Sequence, residues 1–175
     1  MKSSILAFVA SAALLLFSVA CSSNAVDKVS YEDGVKQALQ QAELTNVSVS
    51  EDLDKNTVTL QGSVHSDDAR IKAGEVARNA AGPRTVVNEV SVQPVGAEAD
   101  AKNIASNLDG AIEKNYKAAL ISNGLNKQHI DFKAKNGVLV LTGNVKTAQE
   151  RLEAQQVAAN VPNVLQVLNQ IDVKR

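Results

Sequence analysis

Apolar residues first recur along the chain at helical spacing. Tyr31, Val35, Ala38, Leu39 and Ala42 stand three and four residues apart, which predicts a helix with one buried face. The pattern then changes to alternation. In "NVSVSEDLDKNTVTLQGSV" the residues Val47 and Val49, then Val58 and Leu60, flank the turn-forming "DLDKN", a strand, a reversal and a second strand. Ser66 can cap a helix running to about Ala81, with Asp67 and Asp68 in its positive first turn. "AAGP" stops that helix, and "TVVNEVSV" supplies a last strand with Val86, Val90 and Val92 on alternating positions. The order is αββαβ.

The same order follows a second time. A longer helix is expected from about Asp100 to Asn123, then strands at "HIDFKAK" and "GVLVLTGNV" joined at Asn136-Gly137, a pair suited to a tight hairpin. Thr147 and Glu150 form a capping-box pattern ahead of a second helix, Pro162 marks its end, and "VLQVLNQIDV" is the closing strand. Placing Gly62 on Gly143 sets a shift of 81 residues, at which Val58–Val92 aligns without a gap on Leu139–Val173. The expected fold class is therefore α+β, with two αββαβ repeats, each placing two helices on one face of a small three-stranded mixed sheet. The domains are expected at residues 31–93 and 103–175, joined by a linker at 94–102 that contains "PVGAEAD". Glycine weakens a strand, so Gly62 and Gly143 are read as structural, at a bulge or at a close approach of a helix backbone.

Ahead of the first repeat, Lys2 and the apolar run at residues 5–17 read as a secretory signal, expected to occupy residues 1–20; the run is too short for a membrane span. Ser18-Val19-Ala20 satisfies the rule for ordinary signal cleavage. The same stretch, "SVACSS", resembles the lipobox of bacterial lipoproteins, in which Cys21 would become the first mature residue and carry acyl chains. That resemblance, with Ser22 following, implies sorting to the outer membrane. Residues 21–30 then form a polar tether whose nine residues after Cys21 reach no more than about 30 Å, at about 3.3–3.6 Å per residue.

Composition narrows the function. With 45% hydrophobic and 21% charged residues the chain can build packed cores, while 3% aromatics and no Trp leave little for a base-stacking platform. A net charge of −1 argues against nucleic acid as a partner, and a single Cys excludes an intrachain disulfide. His65 and His129 occupy different places in the two repeats, with no Cys or second His beside them, and read as solvated turn residues. No catalytic constellation is visible, and neither a metal nor a cofactor is expected.

The repeats have diverged in charge. Residues 27–95 hold 7 basic and 11 acidic side chains, residues 103–175 hold 9 basic and 6 acidic. A basic second repeat can pair with the first, face an anionic lipid surface, or simply be solvated. In its first helix Ile104, Leu108, Ala111, Ile112, Tyr116, Ala119 and Leu120 define the expected buried stripe, and Lys114, Lys117 and Ile121 gather on the far side. Those three are the candidate lipid-binding residues. The corresponding face of the first repeat is read as Asp33, Gln37 and Gln41.

The αββαβ unit, the "VTLQGSV" and "VLVLTGNV" strands with their glycines, the following helix with Arg70 or Arg151, and the closing "VVNEVSV" or "VLNQIDV" resemble the BON domain. A tandem pair behind a lipobox-like signal is similar to dual-BON lipoproteins and osmotically inducible periplasmic proteins of bacterial envelopes. The resemblance implies non-enzymatic binding of phospholipid and support of envelope integrity under stress; together with the basic second repeat, it makes an anionic membrane, and envelope proteins, the expected partners. The competing reading is a periplasmic protein-interaction or chaperone-like scaffold.

Overall fold

A computed structural model describes residues 29–174. The first unit runs α1 (Glu32–Gln41), β1 (Val47–Asp52), β2 (Thr57–Val64), α2 (Asp67–Ala80), β3 (Thr85–Asn88) and β4 (Ser91–Val92). The second runs α3 (Glu98–Ser122), a 3-10 turn (Leu125–Lys127), β5 (His129–Lys135), β6 (Val138–Val145), α4 (Ala148–Ala159), β7 (Gln166–Asn169) and β8 (Asp172–Val173). In each, the first two strands pair antiparallel and the closing segments pair parallel to the central strand, which makes the sheet mixed.

Local chemistry accounts for most of these elements. Ser66 Oγ accepts from Ala69 N–H at the start of α2, and Thr147 with Glu150 completes a reciprocal capping box on α4. At the tip of the second hairpin Asn136 and Gly137 have φ of +48° and +79°, the left-handed pair that a two-residue turn needs. The Asp109 carboxylate holds that tip, accepting from the N–H of Asn136 at 2.8 Å and of Gly137 at 3.0 Å.

The closing strand expected to be continuous is interrupted in both units, at Glu89–Val90 and at Gln170–Ile171. An asparagine explains each break. Asn88 accepts from Val90 N–H and donates from Nδ2 to Arg70 O at 2.8 Å, while Asn169 accepts from Ile171 N–H and donates to Arg151 O at 3.0 Å. The side chain thereby ties the strand to the preceding helix and takes over hydrogen bonds the ladder would have made.

Each unit has its own core. Val35, Leu39, Val58, Leu60, Ala73 and Ala77 form the centre of the first; Ile112, Tyr116, Leu120, Leu139, Leu141 and Ala154 form that of the second. The expected α3 stripe is corrected at its N-terminal end, where Ile104 and Leu108 are exposed. Their half of the helix extends beyond the residues that pack against the second unit's core, so helical periodicity alone overstated the buried length.

The units also dock on one another. Gln166 stands against the outer edge of β3 like a strand peptide group, donating to Val86 O at 2.8 Å and accepting from Asn88 N–H at 3.3 Å. Beside it Glu89 receives Lys135 Nζ at 2.8 Å on its carboxylate and Asn136 Nδ2 at 2.7 Å on its backbone oxygen. Val87 and Val138, on the sheet faces turned away from the helices, are both buried.

Candidate functional site

The second half of α3 packs one side into the core through Ile112, Tyr116 and Leu120 and leaves Lys114, Lys117 and Ile121 exposed, Ile121 at 55%. Lys117 and Ile121 border a shallow depression of about 320 Å³, which Leu120, Leu125, Ile130 and Phe132 line. An apolar side chain and a cation thus share one rim.

The cations on this face are unneutralised for a structural reason. Buried Val35, Leu39 and Leu44 of the first unit correspond to Tyr116, Leu120 and Leu125 of the second, so Asp33, Lys36 and Gln40 correspond to Lys114, Lys117 and Ile121. This register corrects the face read from the sequence as Asp33, Gln37 and Gln41. In the first unit Lys36 is paired with Glu32 at 2.6 Å and lies 3.9 Å from Asp33. In the second, the residue matching Glu32 is Glu113, and it turns inward to accept from Ala134 N–H and from Lys133 Nζ, both at 3.0 Å. Those two hydrogen bonds hold the Glu113 carboxyl below its ordinary pKa. Among the described residues neither Lys114 nor Lys117 has a carboxylate partner.

Tyr116 belongs to the core. Its hydroxyl donates to Ala154 O at 3.1 Å, its ring meets Phe132 edge-on at 5.0 Å, and burial pushes the phenol pKa up. Tyr31 lies under the Arg84 guanidinium, 5.7 Å from the ring centroid. Arg84 donates to Glu51 at 2.7 Å and to Val29 O at 2.8 Å, and Ser30 Oγ donates to the same carboxylate at 2.6 Å. This buried clasp fixes the point at which the preceding chain leaves the first unit.

Gly62 and Gly143 have φ of +118° and +101°. A Cβ on Gly62 would collide with the Asn46 carbonyl oxygen, and one on Gly143 with that of His129. The close approach comes from the neighbouring chain of the sheet and not from a crossing helix. His65 lies in the turn before α2 with Nδ1 2.9 Å from Gln93 O, whereas His129 opens β5 instead of lying in a turn. No group of three metal-ligating side chains occurs among the described residues, and none of their helices is long and apolar enough to cross a membrane. Cys21, the signal segment and the tether up to residue 28 lie outside the described residues.

Sequence reasoning missed a second feature, an apolar groove between the units, of about 440 Å³, to which Ile104, Leu108 and Leu165 contribute. The available signal was length: α3 has 25 residues and α1 has 10.

The chain is similar to several known proteins. A protein of Anaplasma centrale described as "Uncharacterized protein in gshII 5'region" is 27% identical over 140 residues, covering 79% of this chain and 89% of its own. The C-terminal domain of CdsD, a structural protein of the Chlamydia trachomatis type III secretion system, aligns over 86% of this chain and 100% of its own at 14% identity and a TM-score of 0.34. A second CdsD structure aligns over 81% and 91%, at 14% identity and a TM-score of 0.35. The BON domain family matches residues 27–94 and again residues 108–175. The chain therefore belongs to the BON family, as a tandem pair of BON domains.

Proposed function

We propose that this protein is a non-enzymatic envelope component that binds anionic phospholipid through the outer face of α3 and so supports outer-membrane integrity under stress. BON domains are associated with phospholipid binding and with envelope proteins, which supplies the class of ligand. The observation that carries the reading is the pair of unneutralised cations, Lys114 and Lys117, beside exposed Ile121. Interfacial lysines attract an anionic leaflet by about 1 kcal/mol each, and the attraction decays within a Debye length of about 10 Å at 0.1 M salt. Ile121 adds an apolar contact that cations alone do not provide. Acylation of Cys21 would hold the first domain close to the same bilayer, and its clasp at Val29 would give the tether a fixed exit.

The test is sedimentation of the chain from Ser22 onward with vesicles, so that no acyl anchor masks a weak contact. Binding to anionic vesicles that falls as salt rises, with none to neutral vesicles, is the expected result. Equal binding to both, or copurification with a protein partner regardless of lipid charge, would instead favour a scaffold.

A further inference from the structure

The N-terminal half of α3 carries apolar residues that its own domain does not use. Ile104 is 59% exposed and Leu108 43%, and both face a groove whose opposite wall includes Val90 and Val92 of the first domain. Leu165, 61% exposed, contributes beyond them. Its counterpart in the first domain is Arg84, the cation of the buried clasp, so the same backbone position has changed from charged to apolar where it meets this groove.

The charged groups around the groove are already engaged. Arg70 is paired with Asp67 at 3.1 Å, and both oxygens of Asp109 are engaged by backbone N–H groups of the hairpin tip. The surface therefore offers an occupant mainly hydrocarbon contact beside charged groups that already have hydrogen-bond partners, which suits an uncharged chain. Length agrees. The lining residues of α3 run from Ala101 to Ile112, about 16 Å at 1.5 Å per residue. One leaflet's hydrocarbon is about 15 Å deep, half of a core about 30 Å thick. The groove also continues the interface already formed by Gln166, Glu89 and Asn136, so both its walls are held in place.

We infer that the interdomain groove binds a single acyl chain, with the head group of a fatty acid left at its mouth. Angular position separates this site from the lipid-contact face: at 100° per residue Ile104 and Leu108 lie on nearly the opposite side of α3 from Lys117 and Ile121. A chain held here has left the bilayer and does not dip into it.

The experiment is a fluorescence titration of the chain from Ser22 onward with dansyl-labelled undecanoic acid. The expected result is a saturable signal displaced by palmitate but not by a dansyl group lacking the chain. Ala105→Trp, which fills the groove, and Leu108→Glu, which places charge in it at an exposed position, should each weaken binding at least tenfold. Ile121→Glu should leave it unchanged while lowering attachment to anionic vesicles, so that failure of one site is distinguishable from failure of the other. Absence of saturable binding by the parent would overturn the inference, as would parental affinity in a folded Leu108→Glu variant. A concentration-dependent dimer that Ala105→Trp abolishes would also overturn it, assigning the groove to a second copy of the chain.

Discussion

In the first domain Arg70 is held by Asp67 at 3.1 Å and Lys36 by Glu32 at 2.6 Å. At the matching places of the second domain Asp67 has become Ala148, leaving Arg151, among the described residues, the Asn169 carbonyl at 3.4 Å, and Glu113 has turned inward, leaving Lys117 without a carboxylate partner among them. The Glu51–Arg84 clasp has likewise become Ala134 and Leu165, since Glu51 pairs across from Val58 and Ala134 from the matching Leu139. What the domains keep is backbone chemistry: the left-handed glycine of the central strand, the asparagine at the strand break and the hydroxyl cap on the second helix. The retained set builds the fold, and the diverged set decides which surface carries free charge or exposed apolar area.

The glycines give the strongest test of the shared set. Gly62→Val and Gly143→Val each add a left-handed β-branched residue and a collision with a neighbouring carbonyl oxygen, for a loss of about 3–4 kcal/mol from strain and overpacking together. Thermal melting should show the midpoint falling by about 10 °C in both cases. Tolerance of either substitution would mean that the two domains do not share this device.

Next in size is the clasp that only the first domain has. Arg84→Met leaves the buried Glu51 carboxylate without its cation, at a cost of about 3 kcal/mol in chemical denaturation, whereas Leu165→Met should change little. Burial pushes the Glu51 carboxyl up, but hydrogen bonds from Ser30, Arg84 and the Tyr31 N–H, with the Arg84 charge, hold it below its ordinary value of 4.5. Because the folded value is the depressed one, the stability this group contributes is full above the unfolded pKa and is lost as pH falls through the folded one. The advantage of the parent over Glu51→Gln should therefore be constant at neutral pH and shrink below about pH 4.5. An advantage that grows on acidification would contradict the assignment.

The docking of one domain on the other depends on Gln166, whose amide makes two hydrogen bonds to the β3 edge. Gln166→Ala should weaken coupling by about 2 kcal/mol, at about 1 kcal/mol per bond, and separate a joint melting transition into two. An unchanged transition would show that the edge contact contributes nothing to coupling.

Much of this architecture was legible in the sequence because its signals are local. Alternation around "DLDKN", left-handed residues at Asn136-Gly137 and the Thr147–Glu150 box each depend on neighbours a few residues away. The break in the closing strand was not legible, because the Asn88 side chain that takes the Val90 N–H is anchored on Arg70 O, a partner 18 residues away. Nor was the exposure of Ile104 and Leu108, since a helical stripe says which side is apolar and not where the surface beneath it ends. For the lipid-contact face, the residues Lys114, Lys117 and Ile121 could be picked out from helical angle, but the freedom of Lys117 depends on Glu113 reaching Lys133 and Ala134, a tertiary event. Gln166 serving as a strand edge has no sequence pattern at all.

The central claim is that unneutralised lysines on α3 meet an anionic leaflet, and its most direct measurement is vesicle affinity of the Lys114→Ala, Lys117→Ala double variant at low salt, again without an acyl anchor. Two lost attractions of about 1 kcal/mol each predict a weakening of roughly tenfold or more, with the melting midpoint retained. Alanine at Asp33, Lys36 and Gln40, the matching face of the first domain, should not weaken binding. If the lysine variant binds anionic vesicles as tightly as the parent, α3 is not the contact surface and the lipid reading of this face is wrong.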